Sequence, residues 1–330
     1  MTTINKPQSR STSRLLLLFF SIVVIPLLGY LLYYQSVILS SSPPPPDFGS
    51  GTMFDQIATR YDLINRFLAL RMDVGWRQQM TRVLKERLLQ SSDSTTTTTA
   101  TSTTFRLVDL ATGTADVALQ LARDIPSATI VGIDPSSNML AVGRTKIASQ
   151  ELSQRIELYQ GDARQLSDWE SNTFDGATMA FGIRNVVPHR DQALCEIHRI
   201  LKPNGQVAIL EFSEPDDTHG VLGSLARLFI RHVVPILGGW LSGAPKEYAH
   251  LQNSIKDFPS PSEFRTLMQN LPCANNGGGA FEMEEVIHMN FGSVQLYSGR
   301  AVKPATSPSS LSSSDNSDDE EARDTNAQES

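Results

Sequence analysis

Asp109-Leu-Ala-Thr-Gly-Thr-Ala-Asp116 closes a short apolar run, Arg106–Leu110, and leads directly into a helical pattern over Asp116–Arg123. A strand ending in an acid, then a glycine turn, then a helix start is the ligand-binding corner of an open α/β sheet, whose ligands lie at the carboxyl edge of the strands. Gly113 lets the backbone approach a ligand closely, and the free N–H groups of the helix start can hold a carboxylate. Beyond this corner, strand and helix patterns alternate. Ala128–Ile133 reads as a second strand followed by Asp134, and Ser136–Ala148 as a helix with Met139, Leu140 and Val142 inward. Ile156–Tyr159 and Phe174–Phe181 read as third and fourth strands. Asp191–Leu201 is an amphipathic helix stopped by Lys202-Pro203-Asn204-Gly205, before a fifth strand over Gln206–Phe212. This alternation predicts an α/β fold, a doubly wound parallel sheet with helices on both faces.

Three acids at three successive strand ends define the ligand. Asp109 opens the loop, and Asp134 follows about 20 residues after it, where an acid accepts ribose hydroxyls. Asp162, within Gly161-Asp-Ala163, is placed to accept from an adenine amino group. The rival is a dinucleotide, whose fingerprint is GxGxxG. Here the register reads Gly113-Thr-Ala-Asp-Val-Ala118 and lacks both later glycines. Asp109 and Asp116 would repel a pyrophosphate; they suit a cation, such as the ammonium and sulfonium of S-adenosylmethionine. Each acid alone has a structural reading, Asp116 as a first-turn helix charge and Asp109 as a strand cap.

Composition limits the alternatives. The 330 residues carry a net charge of -7, which argues against a protein that binds nucleic acid by neutralising phosphates. Seven acids against Arg323 give the stretch from Asp315 onward -6 of that charge, so the rest is close to neutral. Two cysteines, Cys195 and Cys273, exclude a four-thiolate zinc site; they read as ordinary apolar side chains rather than a disulfide framework, and no metal site is expected. The chain divides into three parts: an N-terminal segment over 1–46, a catalytic domain over 47–303 and a Ser-rich acidic tail over 304–330, read as disordered. The first 46 residues contain no acid; Lys6, Arg10 and Arg14 precede an uncharged run from Leu15 to Leu39, long enough for a transmembrane anchor. A cleaved targeting signal is the alternative. Ser40–Pro46 reads as a linker and Ser91–Thr104 as a polar loop.

Several stretches resemble the ubiquinone/menaquinone biosynthesis C-methyltransferases, the UbiE family. Phe54-Asp-Gln-Ile-Ala-Thr-Arg-Tyr-Asp62 with Asn65 and Gly75-Trp-Arg77 is similar to its N-terminal signature, and Phe181-Gly-Ile-Arg-Asn-Val186 to its second. Arg199–Gly205, Leu210–Ser213, Pro235–Gly238, Tyr248, Ser254-Ile255, Phe258–Pro261 and Gly292–Gly299 extend the likeness over Met53–Val302. The resemblance implies a Rossmann-like class I methyltransferase sheet and methylation of a ring carbon of a benzoquinol or naphthoquinol bearing a polyprenyl tail. Carried over by position, it implies that Thr114, Asp134, Asp162 and Ala163 contact S-adenosylmethionine, and that Ala180 stands where some members have a contacting Ser. Ala115 replaces the usual Gly, and Val186–Asp191 is one residue longer than usual, which predicts a local bulge.

The expected chemistry needs a ring carbon held near the methyl, exclusion of water and stabilisation of a phenolate. Arg184 and Asn185, at the end of the fourth strand, are the candidates for electrostatic and positioning roles, with Tyr61 and Asp62 closing the site. The structural alternative for Arg184 is an ion pair, and for Tyr61 a core aromatic. His189 is a weaker candidate base. Val221–Trp240 reads either as a helical lid lying close to a bilayer or as a helical hairpin on the sheet. Expected partners are the prenylated quinol, a membrane and a multi-subunit quinone-biosynthesis complex. The basic, hydroxyl-rich start fits mitochondrial import and the inner membrane, with plastid or endomembrane as alternatives. A methyltransferase of another lipid-like phenol or sterol, and a non-catalytic scaffold, stay open at this point.

Overall fold

The computed structural model describes residues 51–93, 104–215, 220–242, 245–273 and 279–303, with isolated positions between 21 and 36. The 1–46 segment, apart from those positions, the middle of the Ser/Thr loop and the acidic tail lie outside the described residues. Two helices, α1 (Gly51–Leu68) and α2 (Met72–Asp93), precede β1 (Arg106–Leu110). There follow α3 (Asp116–Asp124), β2 (Thr129–Asp134), α4 (Ser137–Ser149), β3 (Ile156–Gln160), β4 (Phe174–Ala180), α5 (Arg190–Ile200) and β5 (Leu201–Phe212). The strands run in the order β3-β2-β1-β4-β5, all parallel, so the winding reverses between β1 and β4. That is the crevice where an open α/β sheet takes its ligand. β8 (Val294–Ala301) adds antiparallel to β5, and the short strands β6 (Phe281–Met283) and β7 (Ile287–Met289) pair with β8.

Period-two alternation sorts the apolar side chains into two cores. Val108, Leu110, Val207 and Ile209 face one layer with α5 and α9 (Pro261–Gln269), where Leu194, Ile197, Phe264 and Met268 are buried. Leu107, Ile130, Ala208 and Leu210 face the other, against Met80, Leu84 and Leu88 of α2 and Leu121 of α3. The helix stop at Lys202–Gly205 works as expected. α5 ends at Ile200, Asn204 turns at φ 62°, and the β4–β5 register jumps from Leu201 to Gln206 across the looped-out residues. α9 starts on a capping box, Ser260 with Glu263, and has Pro261 in its first turn.

Two readings need correction. Cys195 and Cys273 are not separate apolar side chains but a disulfide. α5 and the loop after α9 bring together residues 78 apart in sequence, a proximity that only the tertiary fold supplies. Residues 220–242 are not a hairpin. α6 (Gly220–Leu228), a π-helical turn (Phe229–Val233) and α7 (Val234–Ser242) form one continuous helical run, followed by α8 (Pro245–Lys256). Over Gly220–Gly239 its mean hydropathy is 1.4, yet only 6% of it is buried.

Candidate active site

Two cavities meet at the carboxyl edge of the sheet. The smaller, about 110 Å³, is lined by Gly113, Asp134, Gly161, Asp162, Ala163 and Ala180, with Met139 and Pro135 beside them. Gly113 turns at φ 54°, a conformation that costs glycine nothing, and its N–H donates to Asp134 Oδ2 at 2.8 Å. The Ser136 N–H donates to Asp134 Oδ1, also at 2.8 Å. Each Asp134 oxygen therefore keeps one lone-pair direction open, two acceptors for two hydroxyls. Burial pushes the Asp134 carboxyl up to about 6, against the two N–H donors and assisted by Asp55. On the far wall, a Cβ on Gly182 would stand 2.5 Å from the Ala111 Cβ, so only glycine allows this close approach of the loops after β1 and β4.

Asp162 lines the same cavity, but Arg164 saturates it with contacts of 2.6–3.0 Å from Nε, Nη2 and its own N–H. Burial opposes the ionised form, yet the Arg164 bonds hold its carboxyl below the usual range. An adenine amino group would have to displace that guanidinium, whose side chain is about a third exposed.

Asp109 does not face the cavity. It shares a strand face with Leu107, and its register neighbour on β4 is Thr178. The Thr178 and Thr112 hydroxyls donate to its two oxygens at 2.7 and 2.6 Å, and the residue is 1% exposed. Its structural part is to hold the β1–α3 loop down on the sheet. Burial pushes the carboxyl up to about 7 despite those two bonds. A folded-state value above the unfolded one means that stability present below about pH 4 is lost as pH rises through about 7. Asp109→Asn is accordingly expected to be more stable than the parent at pH 8, by a few kcal/mol, with the difference vanishing near pH 4. Thermal unfolding across that pH range checks it.

Thr114 and Asp116 are also turned away from the cavity. Both belong to an ionic cluster that fastens the N-terminal helices to the sheet. The Lys146 ammonium reaches Asp116 at 2.5 Å, Asp62 at 2.8 Å and the Thr114 hydroxyl at 2.9 Å. Arg66 and Arg77 stand 3.2 and 3.8 Å from Asp116. Burial opposes its ionisation, but Lys146 and Arg77 outweigh it and lower the carboxyl. The charge that suggested a cationic ligand is thus neutralised within the protein. Ala115, buried at φ 66°, does not line the cavity, so its methyl does not narrow it.

The cluster has a consequence for geometry. α1 lies across α4, with Asp55 accepting from Ser136 Oγ at 2.5 Å and from the Asn138 N–H at 3.1 Å. Phe54 and Tyr61, two helical turns apart on one face of α1, then line the smaller cavity and also the larger one, together with Phe181 and Asn185. These four residues form the shared wall.

The larger cavity, about 470 Å³, is mostly apolar: Leu68, Trp76, Phe212, Leu222, Leu225, Phe229, Val234 and Ile255 line it, with Arg184, Asp73, Arg77, His250 and Tyr61 as its charged or ionisable groups. Arg184 is both paired and placed. Its Nη1 donates to Glu211 Oε1 at 2.6 Å and to the Phe181 carbonyl at 2.7 Å, and its guanidinium lies 5.6 Å from the Phe212 ring centre. The ion pair foreseen as its structural alternative exists, yet the residue stays on the cavity wall, and its buried Nε has no partner among the described residues. Burial raises the Tyr61 hydroxyl, so the side chain stays neutral. His189 lines neither cavity; the chain turns there through a cis Val187–Pro188 bond, and α5 still forms. Sequence reasoning missed His250, Asp73 and Glu211. The Leu210-Glu-Phe-Ser213 motif contained the last of these, but nothing local marked its partner. Burial lowers the His250 imidazole, as does Arg184, leaving it neutral at pH 7.

The profile of the ubiE/COQ5 methyltransferase family matches residues 49–277. The chain is 39% identical over 219 residues to a ubiquinone/menaquinone biosynthesis C-methyltransferase UbiE of Geobacter sulfurreducens, covering 66% of this chain and 77% of that one. It is 40% identical over 217 residues to the protein of the same name from Syntrophotalea carbinolica, covering 66% and 82%. A demethylmenaquinone methyltransferase of Thermus thermophilus is 36% identical over 216 residues, covering 66% and 89%.

Proposed function

Since this chain belongs to the ubiE/COQ5 methyltransferase family, we propose that it methylates a ring carbon of a prenylated quinol in ubiquinone or menaquinone biosynthesis. The observation that carries the reading is the shared wall of Phe54, Tyr61, Phe181 and Asn185 between a small polar-edged cavity and a large apolar one. The smaller cavity suits the nucleoside of S-adenosylmethionine: Asp134 would hold the ribose, and Ala163, Ala180 and the Gly113 turn would bound the rest. When bound, that cofactor supplies an electrophilic methyl on a sulfonium. The larger cavity suits an aromatic ring with an apolar tail.

A ring carbon beside a hydroxyl becomes nucleophilic as that oxygen gains negative charge. Arg184, fixed by Glu211 and the Phe181 carbonyl, places a permanent cation on the cavity wall, where an apolar surround strengthens it. Asn185 and Tyr61 orient the ring at the shared wall, and Phe181, Phe212 and Trp76 exclude water.

The exposed apolar run over 220–239 supports a lid that rests on a bilayer, from which a prenylated substrate enters. The acid-free basic start and the apolar stretch over 15–39 support membrane attachment and mitochondrial import. The test is product analysis with methyl-labelled S-adenosylmethionine. Label is expected on a ring carbon of a short-tail demethyl-benzoquinol or demethyl-naphthoquinol. Label only on a sterol or a tocopherol-type phenol, or on none of these, would contradict the proposal.

A further inference from the structure

We infer that Asp73 is the residue by which this site selects the reduced ring over the oxidised one, its carboxylate accepting a hydrogen bond from a quinol hydroxyl. The inference rests on the quinol reading above and specifies what that reading leaves open. Asp73 lines the larger cavity and is 4% exposed. One oxygen is committed, since Arg77 Nη1 donates to Oδ2 at 2.6 Å. The other, Oδ1, is buried with no hydrogen-bond partner among the described residues. A buried acceptor left in that state is costly, and more so when charged. Asp73 also sits in the first turn of α2, where the helix dipole favours an acid. Dipole and Arg77 together account for the charge, but neither gives Oδ1 a donor.

The backbone that delivers Asp73 is itself unusual. Leu70 and Arg71, in the joint between α1 and α2, have φ of 50° and 62°, a region that non-glycine residues enter at a cost. Leu70, Met72 and Asp73 all line the same cavity, so the joint is part of its wall. The cavity's other ionisable groups are Arg184 and Arg77, both cations that only donate, the neutral Tyr61 and the neutral His250. A quinol brings hydroxyls that donate to Oδ1. A quinone brings only carbonyl oxygens, which leave Oδ1 unmatched and face it with like polarity. A site built to accept from an O–H rejects the analogue that lacks it far more strongly than it would a change in bulk.

The experiment measures binding rather than turnover. A short-tail prenylated 1,4-benzoquinol and its quinone are compared by equilibrium dialysis under argon, with parent protein, Asp73→Asn and Arg77→Gln. The parent is expected to favour the quinol about ten- to a hundredfold. In Asp73→Asn the amide can donate to a carbonyl, so the preference should collapse or reverse, with S-adenosylmethionine affinity within about twofold of the parent. Arg77→Gln breaks the same ion pair while keeping Oδ1, and is expected to retain the preference. Asp73→Asn that still prefers the quinol as the parent does, or Arg77→Gln that loses the preference equally, would overturn the assignment. If the parent binds neither form, the quinol reading fails, and this inference with it. If the parent binds both equally, only the inference fails.

Discussion

Glu211→Ala is expected to lower the stability of the fold by about 3–5 kcal/mol and to abolish methyl transfer together with it. Glu211 is fully buried and accepts from Arg184 Nη1, from the Arg184 N–H at 3.2 Å and from the Phe212 N–H at 2.8 Å. Removing it strands a guanidinium that is 4% exposed, a charge the apolar surround cannot solvate. Urea unfolding at pH 7 reads the first effect. Replacing both partners, as Glu211→Leu with Arg184→Met, should restore most of the stability because no charge is left uncompensated. Turnover should stay lost, which separates the cation's structural part from its chemical one.

The second large effect is on the cofactor. Asp134→Ala removes both open acceptors of the smaller cavity and frees the Gly113 and Ser136 N–H groups that now hold the loop. Hydrogen bonds to a charged group are worth about 1.5–3 kcal/mol each, so the Kd for S-adenosylmethionine should rise about a hundredfold or more. Calorimetry measures it directly, and Asp134→Asn, which keeps one acceptor, should lose less. The parent should show a related pH dependence. With the carboxyl at about 6, binding that needs the carboxylate weakens as pH falls through that value, approaching tenfold per pH unit below it.

The sheet was legible because its strands are short apolar runs closed by acids, glycine turns and helix caps, all local signals. Asp134 and Gly113 line the smaller cavity from the strand-end and turn positions that mark this edge of the sheet, and Ala163 and Ala180, expected from the family resemblance, line it too. Side-chain direction within the loop was not legible. Thr114 turns toward Lys146 and Asp62, and Asp116 toward Lys146, partners 30 to 52 residues distant in sequence that meet only once α1 and α4 have docked. Asp109 falls on the strand face of Thr178, a consequence of β1–β4 register that the sequence does not display. The disulfide and the Glu211–Arg184 pair were hidden likewise. The lid stretch was ambiguous because an apolar run without periodicity fits a hairpin as well as a straight helix, and its length came only with the fold. Asp73 stands two residues before Gly75-Trp-Arg77, just outside the stretches that carry the family likeness, and no local signal marks it.

The central claim is that the donor's methyl and the acceptor ring meet across the wall of Phe54, Tyr61, Phe181 and Asn185. A crystal structure with S-adenosylmethionine bound tests this most directly. The expected result is density for the ribose on Asp134 and the sulfonium methyl directed through that wall into the larger cavity. Density elsewhere, or a methyl facing away from the apolar cavity, would contradict the account.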